Sequence, residues 1–245
     1  MKHSFEDFLS RSLRASQPEA LFDEFVQTAA HHGYDKVIFT VTRDGDLPAD
    51  KTGLGVFYNY PLDWQRFYEE KRFDLIDPVL HCAGRYDRSF TWKELEETLP
   101  LSRRQHSFFR QGEDAGLRNG IGIPIRGSRG QLAGIAMASS EKTDACTGNL
   151  DLMTALCNQF YTSYKRLLAH NDNQPPLLQR LSPKEREVLQ WMAAAKTDEE
   201  IADILHISRN TVTTHGRHIF EKLDVYNRVS AVVKGIMLGI VHPQF

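Results

Sequence analysis

The sequence predicts an α+β chain in two parts: an N-terminal α/β/α sandwich on an antiparallel sheet, joined to a small all-α C-terminal domain. Three observations carry this. The first 170 residues alternate helix and strand patterns and include a hairpin signal. Residues 182–223 read as three short helices with explicit start signals and two turns. Between the two lies Asn171-Asp172-Asn173-Gln174-Pro175-Pro176, a polar, proline-paired stretch with the character of a linker. A length of 245 residues accommodates two domains, expected at 1–170 and 181–245 with a linker at 171–180.

In order, an amphipathic helix is expected over Pro18–His31, with Leu21, Phe22, Phe25 and Val26 inward. Strands follow at 36–42 and 54–58, with Asp44-Gly45-Asp46 as a turn, and helices at 62–71 and 103–115. Strands at 121–126 and 131–139 flank Gly127-Ser128-Arg129-Gly130, a hairpin turn, and a long helix over 148–168 closes the domain.

In the C-terminal part, Ser182-Pro183-Lys184-Glu185 combines an N-cap serine, a proline at the first helical position and a glutamate placed to reach back to the cap. Thr197-Asp198-Glu199-Glu200 repeats the capping box, and Ser208 caps a third helix with Val212, Ile219 and Leu223 inward. On that helix Arg209, Asn210, Thr213, Thr214, Arg217 and Lys222 are free to face outward. A short helix, a tight turn and a longer helix bearing donors form a helix-turn-helix, whose second helix enters the DNA major groove. A small helical bundle with a solvated charged face is the alternative.

Charge separates the two. Residues 206–234 hold five Lys/Arg against two Asp/Glu, whereas 182–205 hold three against six. Positive charge therefore collects on the side that would meet phosphate, which favours DNA. The whole chain has a net charge of −2, with 41% hydrophobic and 25% charged residues. That balance suits a site-specific binder rather than a protein that coats DNA.

Leu181-Ser182-Pro183-Lys184-Glu185-Arg186-Glu187-Val188-Leu189, Lys196-Thr197, Glu200-Ile201-Ala202, Leu205-His206-Ile207-Ser208, Thr211-Val212 with His215, and Lys222-Leu223 with Val225 and Arg228 closely resemble the LuxR-type DNA-binding domain of bacterial transcription regulators. The resemblance implies a fourth helix over 228–238, capped by Asn227 and used for dimerisation. It implies DNA contacts from Lys196, Thr197, Ser208, Arg209, Asn210, Thr213, Thr214, Arg217, Lys222 and Arg228, and RNA polymerase as a partner. The family usually has glycine where Ala195 stands. Alanine at a left-handed helix end costs roughly 1 kcal/mol, so a differently built turn is expected there.

Other motifs point nowhere further. Cys82, Cys146 and Cys157 are odd in number and widely spaced, as expected of reduced thiols. The histidines lack partners at metal-ligand spacing. Gly120-Ile121-Gly122 continues as Ile123-Pro124-Ile125 and reads as a strand rather than a dinucleotide fingerprint. Neither a nucleophile elbow nor a phosphate loop occurs, so neither an enzyme nor a cofactor is expected. No apolar run approaches a membrane span, and Met1-Lys2-His3-Ser4-Phe5-Glu6 does not begin a signal peptide; a cytoplasmic, membrane-free protein is expected.

Between positions 60 and 120 stand Tyr60, Trp64, Tyr68, Asp77 and Trp92. The first three are four apart, as on one face of a helix, and a plain core with Asp77 as a cap would account for them all. Asn59-Tyr60-Pro61, Trp64, Tyr68, Asp77-Pro78-Val79, Trp92, Gly116-Leu117-Arg118, Gly120 and Ile123-Pro124-Ile125-Arg126 are, however, similar to the autoinducer-binding domain of quorum-sensing LuxR-type receptors. The ligand implied is an N-acyl-homoserine lactone. By that resemblance Trp64 donates to the lactone carbonyl, Asp77 accepts from the amide N–H, Tyr60 donates to the amide carbonyl, and Tyr68 and Trp92 wall the pocket. Ile38, Thr40, Val56, Phe73, Pro78, Val79, Gly120, Leu132, Gly134 and Ala136 complete the expected lining. Leu132, Gly134, Ala136 and Ala138 alternate onto one strand face, and three of the four are small, which points to a medium or long acyl chain. A ligand with two carbonyls, one N–H and an apolar tail needs few directed polar groups in an apolar cavity.

The resulting expectation is a ligand-dependent homodimer on a partly palindromic operator of double-stranded DNA. A related regulator sensing a plant or host compound is the alternative. A phosphorylated receiver lacks its acidic pocket here, and a lactone-processing enzyme lacks its metal or nucleophile motif.

Overall fold

The computed structural model describes residues 4–127, 130–141, 150–171 and 181–242. The chain forms two compact units. The first carries strands β1 (Lys36–Arg43), β2 (Gly53–Tyr58), β3 (Phe90–Thr91), β4 (Arg118–Arg126) and β5 (Leu132–Ser139), and helices α1 (Phe5–Arg14), α2 (Pro18–His31), α3 (Leu62–Glu70), α4 (Pro78–Ala83), α5 (Trp92–Thr98), α6 (Arg103–Asp114) and α7 (Leu150–Asn171).

The strands form one antiparallel sheet in the order β2-β1-β5-β4-β3. Because strand side chains alternate between faces, Val37, Phe39 and Val41 of β1, Ile121, Ile123 and Ile125 of β4, and Ala133, Ile135 and Met137 of β5 share one face. They pack with Phe8, Leu21, Phe25, Phe160 and Tyr164 from α1, α2 and α7. Helices α3 to α6 cover the opposite face through Trp64, Val79, Leu95, Phe108 and Phe109, together with Phe73 from the turn between α3 and α4. The α/β/α sandwich expected from the sequence is what forms.

Four elements escaped the pattern reading. Helix α1 begins where the Ser4 hydroxyl accepts from Asp7 N–H (3.2 Å) and is tied to α7 by Gln159, whose Nε2 donates to Ser12 Oγ (2.8 Å). The six-residue α4, the seven-residue α5 and the two-residue β3 are too short for a periodic signal. The hairpin residues Ser128 and Arg129, the expected start of the closing helix at 148, the linker after Asn171, and Cys146 lie outside the described residues.

The second unit is α8 (Pro183–Ala193), α9 (Asp198–Leu205), α10 (Arg209–Leu223) and α11 (Arg228–Met237), packed around Val188, Leu189, Ile201, Val212, Ile219, Leu223 and Ala231. Each anticipated cap is made. Ser182 with Glu185 and Thr197 with Glu200 form reciprocal capping boxes. Ser208 accepts from Thr211 N–H (3.1 Å), and Asn227 from Ser230 N–H (2.8 Å). One expectation is corrected: the turn after α8 is not rebuilt around Ala195. Ala195 adopts φ +60°, and Lys196 N–H donates to Trp191 O at 3.1 Å, closing the helix with the hydrogen bond a glycine would allow. The alanine bears the strain because that bond satisfies a carbonyl of the last turn.

Candidate ligand cavity and DNA-facing helix

A cavity of about 620 Å³ lies between the sheet and helices α3 to α6. Its sheet wall is Ile38 and Thr40 of β1 with Leu132, Gly134 and Ala136 of β5, where Ile38 lies opposite Ala136 and Thr40 opposite Gly134. Its helical wall includes Tyr60, Trp64, Tyr68, Asp77, Val79 and Trp92. These eleven expected residues converge as the sequence suggested, with one change of detail: Tyr60 precedes α3 instead of riding on it, and Gln65 Nε2 holds its carbonyl at 2.8 Å.

Four expected lining residues stand elsewhere. Gly55 has φ +62° and the β1–β2 register shifts between Phe39 and Val41. This irregularity breaks strict alternation, and Val56 packs with the α2–α7 core. Phe73 supports the cavity from behind, its ring 6.0 Å from that of Trp64. Pro78 serves as the first residue of α4. Gly120 acts through Trp92, since a Cβ there would fall 2.2 Å from the indole ring. Gly122 does the same for Phe90, at 2.4 Å. Phe108, Phe109, Leu80, Tyr58, Leu54 and Thr42 also line the cavity and were not anticipated. The Phe108-Phe109 pair after the Ser102 capping box was the one usable signal for them.

Asp77 is 9% exposed and uses its two oxygens differently. Oδ1 caps α4, accepting from Val79 N–H (2.7 Å) and Leu80 N–H (3.3 Å), while Oδ2 accepts from the Tyr68 hydroxyl (2.9 Å). Asp77 is thus at once the cap of α4 and part of the cavity wall. Burial raises its pKa above the ordinary carboxylate value, and the Tyr68 and backbone hydrogen bonds offset part of that. Burial, and then the Asp77 charge, push the Tyr60 and Tyr68 phenols upward, so both remain donors. The Tyr60 hydroxyl and Trp92 Nε1 are buried with no hydrogen-bond partner. Such orphan donors are costly unless something they face accepts from them.

On the second unit, Ser208, Arg209, Asn210, Thr213, Thr214 and Arg217 are all exposed, along α10 from its cap to just past its middle. Lys196 and Thr197 form the turn before α9, with Lys196 Nζ 3.2 Å from Glu200. Lys222 and Arg228, also expected at DNA, are each held by a carboxylate of the same unit. Lys222 Nζ donates to both oxygens of the buried Glu185 at 2.8 and 2.7 Å. It lies five residues beyond Arg217, a rotation of roughly 140° that turns it toward α8. Burial alone would raise the Glu185 pKa, but Lys222 and Ser182 outweigh it and hold the carboxyl below its ordinary value. Arg228 donates to Asp198 (2.8 Å) and to the Lys196 carbonyl, fastening α11 to the turn before α9.

A sheet-walled cavity with directed polar groups, together with a helix-turn-helix whose second helix is bare, defines a ligand-binding transcription regulator. Residues 17–163 match the family described as autoinducer binding domain, and 179–234 match bacterial regulatory proteins, luxR family. The chain belongs to the LuxR family of autoinducer-binding transcription regulators. It is 32% identical over 187 residues to the transcriptional activator protein TraR of Agrobacterium vitis, covering 75% of this chain and 78% of that one. It is 29% identical over 234 residues to RpaR, an HTH-type quorum sensing-dependent transcriptional regulator of Rhodopseudomonas palustris, covering 94% and 92%. The solved structure of SdiA in complex with octanoyl-rac-glycerol is similar with a TM-score of 0.67 at 25% identity, covering 98% of this chain and 96% of that one. Among the described residues no helix is long and apolar enough to cross a membrane.

Proposed function

We propose that the cavity takes an N-acyl-homoserine lactone and that its burial enables a homodimer to occupy a partly palindromic operator. The observation that carries the ligand is the Asp77 carboxylate, fixed as a helix cap, beside the orphan Tyr60 hydroxyl in a cavity whose wall is mostly apolar. Asp77 Oδ2 accepts the ligand amide N–H, Tyr60 donates to the amide carbonyl, and Trp64 donates to the lactone carbonyl. Tyr68 and Trp92 wall the head group. The tail runs along β5 past Ala136 and Gly134 toward Leu132, a path of roughly 13 Å that suits a medium or long acyl chain.

The working boundaries are 1–170 for sensing, 171–180 for the linker and 181–245 for DNA binding. Ser208, Arg209, Asn210, Thr213, Thr214 and Arg217 meet DNA from α10, with Lys196 and Thr197 at the flanking turn. Lys222 and Arg228 act indirectly, by holding that helix and that turn. Dimerisation of the DNA-binding domains uses α11, and its support is a bare apolar stripe: Tyr226 is 94% exposed, Val229 72% and Val233 50%. Two half-sites about one helical turn apart follow from such symmetry. The protein works in the cytoplasm as an activator with RNA polymerase as its partner, and is not an enzyme.

A second reading, a neutral acyl ester in the same cavity, is favoured by Trp92 Nε1, a further orphan donor, and by the octanoyl glycerol in the similar SdiA. One experiment separates the two. The full chain is expressed with a panel of lactones of increasing acyl length, and with octanoyl glycerol, and soluble yield and thermal stability are followed. Stabilisation that depends on lactone acyl length and is lost in Asp77→Asn, which retains a capping oxygen, supports the first reading. Stabilisation by the glycerol ester alone would replace it with the second.

A further inference from the structure

The first turn of α9 is acidic, and two of its carboxylates reach across to α10. Glu199 Oε1 lies 3.0 Å from Arg209 Nε in an ion pair whose side chains are both exposed. Asp198 Oδ2 accepts from the Thr213 hydroxyl at 3.3 Å, while its other oxygen accepts from Arg228 Nη1. Negative charge beside a helix that must approach phosphate weakens binding to every DNA sequence. Its placement on two base-facing side chains gives it a different use.

Arginine grips the O6 and N7 atoms of guanine with two N–H groups at once. With the Glu199 carboxylate set beside Nε, the side of the guanidinium left open for that grip is the end-on fork of Nη1 and Nη2. Arg209 is the first residue of α10, and the N-terminal residues of a recognition helix are the ones that meet base edges. Thr213, having donated its proton to Asp198, presents oxygen lone pairs outward. That makes it an acceptor, matched to the amino group of cytosine or adenine.

We propose that Glu199 is a positioning residue that presents Arg209 end-on to a guanine in each half-site, while Asp198 sets Thr213 as an acceptor for an amino-bearing base nearby. This rests on the DNA-binding reading of the second unit. The test uses the full chain, purified with whichever lactone stabilises it, in rounds of selection from a random-sequence duplex library, with thermal stability measured in parallel to recognise misfolding. The wild type enriches a two-fold motif containing guanine, and Arg209→Ala loses the guanine preference at one position per half-site. Glu199→Ala weakens that preference by about tenfold while binding random duplex more tightly. Glu199→Gln, which keeps an acceptor for Nε without the charge, also binds random duplex more tightly but retains the preference. Equal guanine preference in Glu199→Ala and wild type would reduce Glu199 to a repulsive charge and overturn the proposal, as would an unchanged motif in Arg209→Ala. A folded wild type that enriches no sequence would overturn the DNA-binding reading, and the proposal with it.

Discussion

The two units manage buried polarity in opposite ways. In the first, the helices on one side of the sheet enclose about 620 Å³, and the cavity wall holds two buried donors without partners and a carboxylate whose pKa burial has raised. In the second, a core of eleven buried residues is closed by four side-chain caps, and its buried carboxylate, Glu185, is saturated by Lys222 and the Ser182 N–H. Among the described residues of the second unit no buried side-chain atom lacks a partner. The comparison teaches that the DNA-binding unit carries its own stability, whereas the sensing unit gains stability from whatever fills it, by mass action.

The largest break in that comparison is expected at Glu185. Glu185→Ala leaves Lys222 and a helix N-terminus without their acceptor, a loss of about 3 kcal/mol for a broken buried pair. Calorimetry of the full chain should show the second unit's transition falling while lactone-induced stabilisation of the first is unchanged.

A pH series sharpens the contrast, because the two carboxyls shift in opposite directions. The raised Asp77 pKa means that its contribution to the first unit is complete below the ordinary carboxylate range and is lost as pH rises through the raised value. The lowered Glu185 pKa means that its contribution is complete above the ordinary range and is lost as pH falls through the lowered value. Between about pH 3 and pH 7 the difference between wild type and Asp77→Asn in the first transition should therefore shrink as pH rises, while that between wild type and Glu185→Ala in the second should shrink as pH falls. At Tyr60, replacement by Phe should weaken lactone binding about tenfold through one lost hydrogen bond. The same change should leave the ligand-free unit as stable or more so, because an orphan hydroxyl has gone; a fall in its stability would show that the hydroxyl has a structural partner. The smallest effect belongs to Ala195→Gly, which relieves a left-handed alanine and should raise the second transition by up to about 1 kcal/mol.

The second unit was the more legible from sequence because its structure is local. Serine, threonine and asparagine caps act on residues three positions away, so Ser182, Thr197, Ser208 and Asn227 announced all four helices. What sequence could not supply was the partner across the fold. Lys222 and Arg228 looked like free cations until Glu185 and Asp198 were found opposite them. In the first unit, alternation placed Ile38, Thr40, Gly134 and Ala136 correctly because β1 and β5 pair in register over that stretch, and Leu132, beyond the β1–β5 register shift, stays in register with β4. It misplaced Val56, where left-handed Gly55 interrupts the pattern. The Asp77-Pro78 start of α4 was visible as a pair of residues, but a helix of one and a half turns has no periodicity to confirm it.

The double use of Asp77 limits how this receptor can change over generations. A lineage drifting toward a new signal can discard that carboxylate only for a side chain, such as asparagine, that still caps α4. Ala136, Gly134 and Leu132 hold no such second task among the observed hydrogen bonds, and they line the same cavity. Divergence in signal preference should therefore accumulate along β5, leaving the head-group contacts as the inherited part of the pocket.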